Sequence, residues 1–81
     1  MKGFKTRVYF YTREEADEFF DACSKKIDEY VEEHGGQIAD QNSIRHAHIR
    51  TIIDGNQVTI VCKNVSDKNK ANILRLISET M

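Results

Sequence analysis

The segment HAHIRTIIDGNQVTIVCK, His46 to Lys63, decides the fold, because it holds two strands and the turn between them. Ala47, Ile49, Thr51 and Ile53 alternate with His46, His48, Arg50 and Ile52. Past the turn, Val58, Ile60 and Cys62 alternate with Gln57, Thr59, Val61 and Lys63. A period of two is the mark of a half-buried strand, and Asp54-Gly55 followed by Asn56 has the chemistry of a tight hairpin. With Asp54-Gly55 as the two-residue loop, Ile49 opposes Ile60, Ala47 opposes Cys62 and Thr51 opposes Val58. The apolar halves of both strands then share one face. Moving the loop to Gly55-Asn56 keeps the same faces, because the pairing shifts by an even number of residues.

Upstream, Phe4, Thr6, Val8 and Phe10 alternate with Lys5, Arg7, Tyr9 and Tyr11, which gives a first strand. Thr12-Arg13-Glu14-Glu15 ends it with a capping box, in which Thr12 and Glu15 satisfy each other's free backbone donors. Ala16, Phe19, Phe20, Cys23, Ile27, Tyr30 and Val31 then recur at spacings of three and four, on one face of a helix. Gly35-Gly36 ends that helix, after about 22 residues and roughly 33 Å. Gly36 to Asn42 reads as a polar loop with Ile38 tucked beneath it as an anchor. Downstream of the hairpin, Val65 leads into Ser66 or Asp67 as an N-cap. A second helix follows, with Ile73, Leu74, Ile77 and Met81 as its buried stripe and Leu76 at the margin.

The order β-α-β-β-α predicts an α+β two-layer sandwich. Its sheet is three-stranded and antiparallel, in the order 1-3-2, with two helices on one face. That is a ferredoxin-like unit without its last strand. The outer edge of the first strand, Phe4 to Thr12, would then carry unpaired backbone groups that Lys2 and Lys5 blunt only in part. A homodimer joined through that strand satisfies them.

Eighty-one residues make one domain. At 40% apolar, 31% charged and a net charge of −1, the chain is neither a disordered polymer nor a polycation. No apolar run approaches the roughly 18 residues of a bilayer span. The start, Met1-Lys2-Gly3-Phe4-Lys5, lacks the apolar stretch of a secretory leader, so the chain reads as mature and cytoplasmic. Cys23 and Cys62 are too few for a disulfide scaffold and lack metal-type spacing; both fall on core faces, as inert thiols would.

The charge is separated along the chain. Residues 13–34 hold nine acids and three bases, net −6, whereas the rest hold four acids and nine bases, net +5. The acids suit a solvated outer helix face, and Glu14, Glu18, Glu29 and Glu32 form the one acidic surface a partner could read. The outer face of the sheet is the sharper feature. Alternation sends Lys5, Arg7, Tyr9, Tyr11, His46, His48, Arg50 and Lys63 there with no acid among them, alongside Ile44, Ile52 and Val61.

His46-x-His48 points two imidazoles the same way, but no third ligand accompanies them, so neither metal nor cofactor is expected. No phosphate-cradling glycine loop, Gly-x-Ser-x-Gly elbow or Cys-x-x-Cys pair is present. The sequence therefore reads as a small non-enzymatic interaction module, an accessory or inhibitor factor docking on a larger macromolecule through its charge-segregated surfaces. The alternative is an anion-binding module that takes single-stranded nucleic acid or a nucleotide on the basic, aromatic outer face.

Overall fold

Thr12 separates strand from helix by turning its hydroxyl onto the backbone N–H of Glu15, at 3.2 Å, while its own backbone stays extended. The hydroxyl also donates to the Glu15 carboxylate at 3.1 Å, so Glu15 takes the side chain of Thr12 and not its backbone donor. The expected box is formed by half. The computed structural model describes residues 3–34, 37–39 and 46–81. Its elements are β1 (Gly3–Tyr9), α1 (Arg13–Glu33), β2 (His48–Asp54), β3 (Gln57–Lys63) and α2 (Asp67–Thr80). The glycine stop at Gly35-Gly36, most of the loop to Asn42, Ile44 and Lys2 lie outside the described residues.

The sheet order is β1-β3-β2, antiparallel at both seams, which makes the molecule the expected α+β unit of a three-stranded sheet and two helices. One register differs from expectation. Ile49 pairs with Cys62, Thr51 with Ile60 and Ile53 with Val58, because the loop is Gly55-Asn56 and Asp54 pairs with Gln57. Gly55 has a φ of 63° and Asn56 does not share the left-handed region, which is the pattern of a type II′ turn with glycine first. Asp54 thereby becomes the last residue of β2 instead of the first of the loop. Gly3 lets the start of β1 lie close on β3, since a Cβ there would press on the carbonyl oxygen of Cys62.

The core is one cluster: Ala16, Phe19, Cys23 and Ile27 from α1, Val58, Ile60 and Cys62 from β3, Val65, and Ile73 and Ile77 from α2. Phe10 stacks at a tilt on Phe19, ring centres 5.2 Å apart. Ile38 is buried as the expected anchor, and Ala39 forms a lone bridge with Val65. Helix α1 lies over β2 and β3 with α2 beside it, and the last residues of α2 share a depression with Phe10 just past β1. Along α2 the buried stripe is Asn69, Ile73 and Ile77, at intervals of four, while Leu74 and Met81 are exposed. The expected stripe was wrong at those two positions. Leu74 follows Ile73 by 100° around the helix, and only one side of so short a helix meets the sheet.

Asn69 is buried because it ties three segments together. Its side-chain amide donates to Ser66 Oγ at 2.7 Å and reaches the Ile38 carbonyl at 3.5 Å, while its Oδ1 accepts from the Tyr30 hydroxyl of α1. Asn72 donates to the same hydroxyl at 3.1 Å. Tyr30 is thus neither simple core nor ligand but the polar joint between the two helices.

Both cysteines are free and buried. Burial pushes the Cys62 thiol up from 9.0 to about 12, and neighbouring Cys23 adds to the rise. Burial raises Cys23 as well, against a smaller lowering by Lys26. A thiol raised by folding contributes stability that is complete below the unfolded value, about pH 9, and lost as pH climbs toward the folded one. The native protein should accordingly resist Ellman's reagent at neutral pH and titrate both thiols in urea. A thiol that reacts rapidly in the native state would place it outside the core.

Candidate functional site

Strand pairing converts the outer face into rows. From one edge of the sheet to the other they are Gly3–Lys63–His48, Lys5–Val61–Arg50, Arg7–Thr59–Ile52 and Tyr9–Gln57–Asp54. Directly opposed residues have Cβ atoms about 5 Å apart, and residues two strands apart are separated by about 10 Å. Lys5 and Arg50 therefore stand on either side of Val61, with Lys63 and His48 in the next row. Together with Ile52 these side chains line a shallow depression of about 550 Å³. Its rim is cationic, its floor is the aliphatic pair Val61 and Ile52, and no carboxylate lines it. Arg13 and Asp17 pair on α1 at 3.9 Å, and none of these cations shares that ion pair.

The expected outer-face set is thus divided. Lys5, His48, Arg50 and Lys63 come together around the depression. Arg7 and Tyr9 occupy the outer face of β1 but do not line it. Tyr11 and His46 fall outside the strands, and Tyr11 is 98% exposed. Asp54, at the end of β2, brings one exposed acid onto a face expected to have none; it stands three rows from Lys63, beside the turn. Thr59 is the residue whose burial the sequence did not suggest. It is only 7% exposed on the solvent side of the sheet, because Arg7 and Ile52 flank it from the two neighbouring strands. The signal was present in its position at the middle of the central strand.

The acidic surface is formed as well. Glu14, Glu18, Glu29 and Glu32 are all exposed on α1, on the opposite layer from the depression. Among the described residues no group of three or more His, Cys, Asp or Glu could hold a metal ion, and no helix is long and apolar enough to cross a membrane. No protein-family model and no curated protein matches this sequence.

Proposed function

We propose that this chain is a non-enzymatic interaction module that docks the basic outer face of its sheet on an acidic surface of a larger protein. The observation that supports the reading is the depression ringed by Lys5, His48, Arg50 and Lys63 over a floor of Val61 and Ile52. An aliphatic floor within a cationic rim suits an apolar side chain flanked by carboxylates. A nucleic acid would be better served by aromatic rings at the middle of the sheet, on which bases stack. Here β3 has none, and Tyr9 stands in the last row of β1. The module acts as a homodimer joined through β1, which brings two basic faces side by side on one extended sheet.

The test is fluorescence polarisation with two labelled probes, an acidic peptide of about 15 residues with interspersed leucines and an oligothymidylate of similar length. The peptide should bind, and Arg50→Glu together with Lys63→Glu should weaken it by about tenfold or more, since each reversal turns an attraction into a repulsion. Both side chains are exposed, so the double variant should stay folded by circular dichroism. Peptide binding unchanged in the folded variant would place the site off this face of the sheet. Tighter binding of the oligothymidylate, falling steeply between roughly 50 and 200 mM salt, would replace the protein partner by nucleic acid.

A further inference from the structure

The homodimer proposed above can be assembled in several registers along β1, and the chemistry of the strand selects one. Phe10 donates its backbone N–H to the Asn56 carbonyl at 2.9 Å, which continues the β1–β3 pairing one residue beyond the strand. The Asn56 side chain donates to the Phe10 carbonyl at 2.8 Å, so both backbone groups of Phe10 are held. In an antiparallel ladder the residues that exchange bonds alternate with residues whose backbone groups point the other way. Phe4, Thr6, Val8 and Phe10 therefore turn their backbone toward β3. Lys5, Arg7 and Tyr9 turn theirs to the open edge.

A second copy can lie along that edge about a two-fold axis at Thr6, at Arg7 or at Val8. The axis at Thr6 sets Lys5 opposite Arg7 of the other copy, twice. The axis at Arg7 sets the two Arg7 side chains directly against each other. Like charges directly opposite oppose pairing. The axis at Val8 removes every such contact, setting Arg7 opposite Tyr9, twice. A cation over a tyrosine ring is an attractive pair. Tyr9 is 68% exposed in the single chain. On the inner side the same axis brings Val8 against Val8 and Thr6 against Phe10, extending the core across the seam.

We infer that two copies of this chain pair antiparallel through β1 about an axis at Val8, with the exposed Tyr9 of each copy receiving Arg7 of the other. Val8 would then face its own copy in a pair without hydrogen bonds, at a Cα separation near 4.5 Å, within reach of a disulfide. The experiment compares Val8→Cys with Thr6→Cys in the full chain, under oxidised glutathione, on non-reducing gels. Val8→Cys should convert almost wholly to covalent dimer, and Thr6→Cys and the unmodified chain should not; the native thiols are buried and supply little background. Light scattering on the reduced variants separates the possible failures. A mass of one chain would overturn the homodimer itself. A mass of two chains with Thr6→Cys cross-linked in place of Val8→Cys, or with neither cross-linked, would overturn the register alone.

Discussion

Ile60→Ala is expected to lower stability in a urea titration by about 3–4 kcal/mol. Ile60 is fully buried at the centre of the central strand, with Thr6 on one side and Thr51 on the other. The neighbouring backbone belongs to a sheet hydrogen-bonded on both sides of Ile60, so it cannot move in to fill the space left behind. A chain of this length holds only about 4–12 kcal/mol in all, so the loss takes at least about a quarter of the total. A loss below about 1 kcal/mol would show that the core closes over the missing atoms.

Asn69→Ala should cost about 2–3 kcal/mol, most of it from stranding partners and little from lost apolar contact. The substitution leaves the Tyr30 hydroxyl without its acceptor and removes the amide that Ser66 and the Ile38 carbonyl share. Tyr30→Phe, which deletes the hydroxyl itself, should cost about 1–2 kcal/mol. The double variant should fall short of the sum by about 1 kcal/mol, because both changes break the same Tyr30–Asn69 bond. Additivity within about 0.4 kcal/mol would mean that Tyr30 and Asn69 do not act as a unit.

These two expectations also mark what pattern reading could reach. The three strands and two helices were legible because apolar residues recur at two periods, and Ile60 announces itself by that rule. The hairpin faces survived a register displaced by two residues, since a shift by an even number leaves each side chain on its side. The loop itself was misplaced because Asp-Gly and Gly-Asn both have turn chemistry. What separated them was the φ each position takes, and only Gly55 is left-handed there. Asn69 was illegible in a different way. A polar residue on a helix reads as solvated unless its partners are known, and those partners lie 39 and 31 residues away at Tyr30 and Ile38. Leu74 misled for the reverse reason, as an apolar residue one step outside the short arc that meets the sheet.

The candidate site was half legible. Alternation put Lys5, His48, Arg50 and Lys63 on one side, but only the register showed that Lys5 and Arg50 flank the same valine. Tyr11 and His46 were included by extending alternation past the strand ends, where it no longer governs direction.

The tip of a hairpin is where a chain commonly accepts an inserted peptide or a new pair of ends. Asn56 removes that freedom here. Its carbonyl and its side chain both hold Phe10, two residues before the helix cap at Thr12. Lengthening the turn at Gly55-Asn56 would release the end of the first strand at Phe10, 46 residues distant in sequence, and unseat the beginning of the first helix. For anyone grafting a tag or a reporter, the apparent loop is a joint of the frame, and the exposed turns of α1 that carry Glu14 and Glu29 are the safer ground for altered side chains.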